Sequence, residues 1–332
     1  MKNKKYYDEI NIAKGIGALL VVFGHSFPDA SLGIYNNSDI YKFIENVIYS
    51  FHMPLFFFLS GFLTENSDLD NSLCEKIQFV KRKVNSLLIP YFIVSILTLV
   101  IKYFLSNYAY SDFDYANGIK NIIIGISPNG GMWFLYTLFL ITCIYIVFYG
   151  KIDIKISTMV SLVFCFLCAG QAFDDNVLYT TAYYSFFFFL GALLYREKET
   201  MKYKKIVGWI GSLVNIIVLS LLVLLKIIYI RPIEAILGIY IVLFVSKELK
   251  ERKSKISNKL CYFGKYSMDI YILSYFVQIP IRIILFEKLR LNYEFCFFTM
   301  FVFGVAGSLF LSKYFIRKTK ILKILLLGSR KG

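Results

Sequence analysis

The sequence predicts an all-α fold, a polytopic transmembrane helical bundle of about ten spans, and three observations support this. Hydrophobic residues make up 58% of the 332 residues and include 33 Phe, which is more than a soluble core of this size can bury. Apolar runs long enough to cross a bilayer recur along the chain. Lys and Arg are concentrated in alternate segments between these runs.

Ten apolar runs define the predicted spans. In chain order, they cover residues 12–27, 41–63, 87–105, 132–149, 156–170, 178–195, 206–225, 230–246, 267–286 and 295–316. We expect these spans to form one integral-membrane domain over residues 1–332, with no appended soluble domain. The chain has no P-loop and no G-x-G-x-x-G fingerprint, which argues against an ATP-driven pump or a dinucleotide enzyme.

The basic residues test this count independently, because Lys and Arg are retained on the cytoplasmic side of short loops. With the N-terminus inside, the inner segments hold most of the 37 Lys and Arg, so both termini are predicted to be cytoplasmic. The net charge of +15 then belongs to one membrane face, where anionic lipid or a phosphorylated substrate is a nearer partner than nucleic acid. The inner segments are residues 2–5, 76–83, 151–155, 196–205, 247–265 and 313–331.

The two histidines of the chain, His25 and His52, both fall inside predicted spans. A polar group at that depth is costly to desolvate unless it has a function. At about 100° per residue, Lys14 and His25 share one face of the first span, with Asn11 about 60° to the side. Lys14 and His25 are eleven residues apart in the sequence, or roughly 16 Å along a helix axis. This spacing predicts a column with a cation at its inner end and an imidazole towards its outer end.

Two further spans carry polar stripes. In the second span, Glu45, Tyr49 and His52 share a face, so Glu45 and Tyr49 are candidates to orient the imidazole. Three stripes on separate helices predict an interior that is wet or lined for a substrate. The alternative is that these residues join helices together, and that the His52 ring caps a carbonyl freed by Pro54. The third stripe, on the ninth span, consists of Ser267, Tyr271, Ser274, Gln278 and Arg282.

Several motifs surround these polar residues. The histidine segments read NIAKGIGALLVVFGHS from residue 11 and FHMPLFFFLSGF from residue 51. Later motifs are KRK at 81–83, LIPY at 88–91, MWFL at 132–135, FFLG at 188–191 and SMDIYIL at 267–273. Taken in series, they resemble the acyltransferase-3 family over nearly the whole chain. Its members are membrane enzymes that move acyl groups, usually acetyl from acetyl-CoA, onto sugar hydroxyls of cell-surface glycans.

The resemblance implies a membrane O-acyltransferase. Its expected reaction transfers acetyl from acetyl-CoA to a hydroxyl of a cell-surface polysaccharide or of its lipid-linked precursor. Acetyl-CoA is then a co-substrate, no metal is expected, and the protein belongs in the bacterial cytoplasmic membrane. Two alternatives remain open at this point. One is a transporter or flippase for a lipid-linked glycan, and the other is a scaffold whose polar stripes only join helices.

The expected roles of the site residues follow from the resemblance and from their chemistry. His25 is expected to act either as general base on the acceptor hydroxyl or as a transient acyl carrier. His52 and Glu45 are expected to assist in catalysis by orientation and by stabilising developing charge. The phosphates of the donor are expected at Lys14, Lys81, Arg82 and Lys83. The residues expected to line the substrate path are Asn11, Tyr49, Trp133, Tyr271, Ser274, Gln278 and Arg282.

Overall fold

A computed structural model describes residues 8–27, 39–65, 67, 72–104, 115–170, 176–197 and 205–328. These residues form fourteen α-helices and no strand, which confirms the predicted all-α class. The helices are α1 (Asp8–Gly24), α2 (Asp39–Glu65), α3 (Leu73–Lys83), α4 (Ile89–Phe104), α5 (Tyr115–Ile123), α6 (Trp133–Phe148), α7 (Ile154–Leu167), α8 (Val177–Glu197), α9 (Lys205–Leu225), α10 (Arg231–Arg252), α11 (Lys255–Lys265), α12 (Ser267–Arg282), α13 (Tyr293–Leu311) and α14 (Lys320–Leu327).

Each predicted span coincides with a helix, but among the described residues only five helices are long and apolar enough to cross a membrane. Several others are shorter. Helix α7, for example, has 14 residues and measures about 21 Å, against about 30 Å of hydrocarbon core. The protein is thus a membrane protein, while the count of ten spans stays a prediction. The five are Asp39–Glu65, Leu73–Phe104, Val177–Glu197, Ser267–Phe286 and Tyr293–Ile316. In three of them a π-helical segment continues the α-helix: Val84–Leu88 joins α3 to α4, Ile283–Lys288 follows α12, and Ser312–Ile316 follows α13.

The orientation of the chain in the membrane also stays a prediction. The basic residues at 2–5 lie outside the described residues, as do residues 329–332 at the other terminus. Leu105, the last residue of the third predicted span, lies outside them as well. The positive-inside pattern therefore remains the basis for placing both termini in the cytoplasm.

The chain divides into two compact units. Unit 1 comprises Met1–Leu20, Lys42–Gln78 and Leu140–Lys265, and unit 2 comprises Val21–Tyr41, Phe79–Phe139 and Tyr266–Gly332.

A reciprocal pair of glycines marks the crossing of α2 and α8 in unit 1. A Cβ atom on Gly61 would collide with the carbonyl oxygen of Phe188, and a Cβ atom on Gly191 would collide with that of Phe58. Only glycine lets two helix backbones approach this closely. The glycines of the FHMPLFFFLSGF and FFLG motifs therefore have a packing role in the structure.

The same arrangement occurs between α1 and α11. A Cβ atom on Gly15 would meet the carbonyl oxygen of Leu260, and one on Gly264 would meet that of Asn11. This contact packs the first half of α1 against α11, with the backbone of Asn11 next to Gly264.

A buried carboxylate joins three helices of unit 1. Glu65, the last residue of α2, accepts hydrogen bonds from Nε of Arg196 on α8 and from the hydroxyl of Tyr145 on α6. The guanidinium of Arg196 also lies over the ring of Tyr149, 5.8 Å from its centroid. Because Glu65 is buried and paired, its charge is compensated at the end of the helix.

Unit 2 contains a second buried carboxylate, at the start of α12. Asp269 is 2% exposed and accepts two bonds from Arg317, from Nε at 2.7 Å and from Nη2 at 2.9 Å. Ser312 Oγ donates a third bond to it, and the Arg317 guanidinium stacks over Tyr266 at 4.6 Å. This bidentate pair ties α12 to the chain that follows α13.

A short turn lies against the middle of α4 in unit 2. Helix α5 ends beside Tyr91, whose hydroxyl donates to the carbonyl of Ile122 at 2.9 Å. Next in the chain, Ser127 Oγ shares a 2.7 Å hydrogen bond with Ser95 Oγ of α4. We call Ser127–Gly131 the Asn129 turn, and it leads directly into α6.

Candidate functional site

Helix α1 carries Lys14, and His25 follows directly after its end. Lys14 and Asn11 are half-buried on this helix, and the helix is unbroken from Asp8 to Gly24. Ten residues of helix separate Lys14 from Gly24, about 15 Å along the axis. The backbone N–H of His25 continues the last turn by donating to Val21 O at 3.0 Å.

The imidazole of His25 is exposed, although the residues on both sides of it are buried. Gly24 and Ser26 are buried, whereas His25 is exposed. A reacting group can therefore reach this ring without displacing a packed side chain. His25 lies in unit 2 together with α12.

Gln278 holds the segment that carries His25. Its Nε2 donates to the carbonyl of Val22 at 3.0 Å and to Ser26 Oγ at 2.9 Å, and Ser26 Oγ donates to the same carbonyl at 2.7 Å. Both polar side chains are buried. The amide nitrogen of Gln278, predicted to line the substrate path, thus positions the end of α1.

His52 is buried in unit 1 and bonded to its own helix. Its Nδ1 lies 2.8 Å from the carbonyl oxygen of Ile48, and its ring meets that of Tyr49 edge-on at 5.0 Å. A carbonyl only accepts, so Nδ1 carries hydrogen, and Nε2 is the basic nitrogen of the neutral ring. The sequence left open that the ring caps the carbonyl freed by Pro54. That carbonyl belongs to Ser50, whereas the ring caps the carbonyl of Ile48.

The predicted donor-binding cluster is an exposed cationic group at the end of α3. Lys81 and Arg82 are exposed, and Lys83 is half-buried. The guanidinium of Arg82 and the ammonium of Lys83 lie 5.6 and 5.2 Å from the ring centroid of Phe79. This ring holds two of the three cations in place at the surface.

Tyr271 connects α12 to the start of α6. Its hydroxyl donates to the carbonyl of Gly131, and its ring meets that of Phe134 edge-on at 5.6 Å. Trp133, the first residue of α6, follows two residues after this carbonyl. Two predicted lining residues, Tyr271 and Trp133, are therefore brought to the same part of unit 2.

The rest of the stripe on α12 is partly buried. Ser274 is buried, and its hydroxyl donates to Tyr271 O at 3.5 Å, at the limit for a hydrogen bond. Arg282 lies near the far end of the helix, where its Nε is buried and bonds to none of the residues that the structure describes. Lys102 of α4 is close enough to interact electrostatically with Arg282, so two cations approach each other there.

The structure thus gathers the predicted residues into separate groups. In unit 1, α1 carries Asn11 and Lys14, while α2 carries Glu45, Tyr49 and His52. In unit 2, the groups are the exposed cluster at the end of α3 and the residues around α12. The unit 2 residues near α12 are His25, Trp133, Tyr271, Ser274, Gln278 and Arg282.

Three important residues were missed by the sequence patterns. Glu65 lies three positions after the end of the FHMPLFFFLSGF segment, and Asp269 lies inside SMDIYIL. A carboxylate in or beside an apolar run is costly, and this signal was available for both. Asn129 lies between apolar helices in an unremarkable Pro-Asn-Gly-Gly sequence, and no periodicity marks it.

Comparison with known proteins identifies the family. The acyltransferase-3 family model, described as an acyltransferase domain, matches residues 7–317, nearly the whole chain. A 69-residue stretch is 39% identical to Nodulation protein NolL of Sinorhizobium fredii (strain NBRC 101917 / NGR234) and covers 20% of this chain. The chain aligns with only 18% of that relative's length. No solved structure matches the chain. The family match favours an enzyme over a transporter or a scaffold, and the chain belongs to the acyltransferase-3 family.

Proposed function

We propose that this acyltransferase moves acetyl from acetyl-CoA to a hydroxyl of a cell-surface polysaccharide or of its lipid-linked precursor. The observation that carries the proposal is the exposed His25 directly after α1, next to Ser26, which Gln278 holds. We place this single catalytic domain in the bacterial cytoplasmic membrane, with both termini inside. The donor then approaches from the cytoplasm and the acceptor from the other side.

The donor is held by cations on the cytoplasmic side. CoA is an anion at neutral pH, and Lys81, Arg82 and Lys83 offer ammonium and guanidinium donors for its phosphates. Lys14, half-buried on α1, offers a further cation on the helix that leads to His25. The acyl end of the donor would then extend towards the imidazole.

Two routes of transfer are compatible with a histidine at this position. In the first, the acceptor oxygen bonds to the acyl carbon and the C–S bond breaks, while the hydroxyl proton passes to His25 and then to the CoA thiolate. In the second, a nitrogen of His25 bonds to the acyl carbon as the C–S bond breaks and the CoA thiolate leaves; the acceptor oxygen then displaces the imidazole, and its proton ends on the thiolate. Each route ends with an ester and free CoA.

In either route, the polar residues of α2, which are Glu45, Tyr49 and His52, would stabilise developing charge. Negative charge develops on the acyl oxygen when the tetrahedral intermediate forms. We assign His52 and Glu45 to the control of charge and protonation during transfer, with Tyr49 packed against the His52 ring. The hydrogen bond from Nδ1 to Ile48 O fixes the orientation of that ring.

A genetic experiment tests the proposed function. The surface polysaccharide of a deletion strain should lack O-acetyl signals in its NMR spectrum, and the gene supplied in trans should restore them. Purified protein in proteoliposomes should release CoA from acetyl-CoA over many turnovers only when acceptor glycan is present. Unchanged O-acetylation in the deletion strain would refute the proposal.

A charge-neutralising variant tests the donor site. Replacing Lys81, Arg82 and Lys83 together by Gln should raise KM for acetyl-CoA about tenfold and change kcat little, because these residues contact phosphates and not the reacting atoms. The effect should shrink at high salt, since exposed charges are screened. Steady-state CoA release measures both constants.

A matched triple variant on another basic segment controls for net charge. The control replaces Lys318, Lys320 and Lys323 by Gln, so it loses three positive charges, as the variant of the α3 cluster does. This control should leave KM within about twofold of the wild-type value if the cluster on α3 acts locally. Equal effects of the two triple variants would contradict the assignment.

A further inference from the structure

Asn129 is a buried polar residue at the centre of the Asn129 turn. Its side chain is 1% exposed, and its Oδ1 accepts a hydrogen bond from the N–H of Gly131 at 3.0 Å. Its own N–H donates to Ser127 Oγ at 3.1 Å, and Ser127 is bonded in turn to Ser95 of α4. The turn is therefore held firmly against an apolar helix.

The amide nitrogen of Asn129 lacks a partner in the described part of the chain. Because Oδ1 must face the Gly131 N–H, the orientation of the amide is fixed, and Nδ2 points the other way. Nδ2 is buried and makes no hydrogen bond there. A buried donor is costly to leave unmatched, so such a group calls for an explanation. Next to it, a Cβ atom on Gly130 would have nothing within 4 Å, which indicates open space beside the turn.

Helix α12 contacts both the Asn129 turn and the segment that carries His25, and all three belong to unit 2. Tyr271 of α12 donates to the carbonyl of Gly131, and Gln278 of α12 holds Ser26 beside His25. Seven residues separate Tyr271 from Gln278, so they lie on nearly the same face, about 10 Å apart along the axis.

We propose that Asn129 Nδ2 donates a hydrogen bond to an amide carbonyl in the pantetheine arm of the acyl-CoA donor. This inference rests on the proposed function. A fully extended pantetheine arm places its two amide carbonyl carbons about 6 and 11 Å from the acyl carbon. The distance to the farther amide is similar to the separation along α12 of Tyr271, which bonds to the Asn129 turn, and Gln278, which bonds to Ser26 beside His25. The arm crosses an apolar region, where its amides need partners from the protein.

Truncated donors test this contact without involving the phosphates. S-acetylpantetheine contains both amides, whereas S-acetyl-N-acetylcysteamine contains only the nearer one. The wild-type enzyme should have a lower KM for the first donor, by roughly 10- to 100-fold, as expected for one buried hydrogen bond. In Asn129→Asp, which keeps the acceptor for the Gly131 N–H but loses the amide donor, this preference should fall to within about threefold. Asn129→Leu should behave in the same way.

Two further variants keep the test independent of folding. Thr98→Val removes a buried hydroxyl that, within the described ranges, bonds to Val94 O of its own helix, and it should retain the wild-type donor preference. Gly130→Ala places a methyl group in open space, where the fold admits it, and should raise KM for S-acetylpantetheine several-fold.

The outcomes separate the two proposals. If the wild-type enzyme transferred no acetyl from acetyl-CoA or from either truncated donor, the proposed function would be refuted. An active wild-type enzyme whose donor preference survives in Asn129→Asp and Asn129→Leu, with Gly130→Ala unchanged, would overturn this inference alone. Loss of preference in the Asn129 variants with Thr98→Val unaffected would support it.

Discussion

Replacing His25 with Ala is expected to lower acyl transfer at least about 1,000-fold, the largest effect of any single substitution in the chain. In the proposed reaction, the imidazole is either the base that accepts the hydroxyl proton or the group that carries the acyl moiety, and both roles are lost with the ring. Acetyl-CoA consumption in proteoliposomes measures the rate, and NMR of the surface polysaccharide measures the product. The variant should insert normally, because His25 is exposed.

Labelled donor distinguishes the two routes of transfer. Wild-type protein given radioactive acetyl-CoA without acceptor should retain the label on His25 if the imidazole carries the acyl group, and should remain unlabelled if it acts only as a base. Ser308→Ala, which removes a buried hydroxyl that bonds to its own helix at Gly304 O, is a suitable control for insertion and activity. A fully inserted His25→Ala protein that keeps wild-type activity would rule out a catalytic role for this residue.

Replacing Asp269 with Ala is expected to destabilise the protein by about 3 kcal/mol, at the lower end of the range for broken buried ion pairs. The carboxylate is buried and accepts three hydrogen bonds, so its loss leaves Arg317 and Ser312 without their partner. The value lies at the lower end because the Arg317 side chain is itself 33% exposed and remains partly hydrated. Thermal unfolding of the detergent-solubilised protein should show a clear fall in Tm.

A double substitution separates the ion pair from the volume of the side chains. Asp269→Leu together with Arg317→Met removes both charges, and it should recover part of the stability lost in Asp269→Ala, because no uncompensated charge remains. If the double variant were less stable than Asp269→Ala, loss of the carboxylate partner of Arg317 would not explain the destabilisation of Asp269→Ala.

Local periodicity was sufficient to predict the helices and the stripes they carry. The helices of a membrane protein bond within themselves, so each apolar run reports its own secondary structure. The face shared by Lys14 and His25 depends only on the helical repeat, and α1 is continuous from Lys14 to the residue before His25. The ten-span count is harder to predict, because several apolar helices are shorter than the hydrocarbon core.

Partners that are distant in the chain could not be predicted in this way. Gln278 bonds to residues more than 250 positions earlier, and Asp269 bonds to Arg317, 48 positions later. A helical stripe indicates that Gln278 faces inward, but it does not distinguish a residue that contacts substrate from one that holds another helix. The Asn129 turn has no period at all, and its importance depends on burial, which only the fold determines.

The crossing of α2 and α8 has a mechanical consequence. Each carbonyl of Phe58 and Phe188 lies against the glycine of the other helix, so a shift by one residue, about 1.5 Å, would drive a side chain into a backbone oxygen. The two helices therefore resist sliding along each other in both directions. The ring of His52 lies on the same helix, nine residues before Gly61 and on the other side of Pro54.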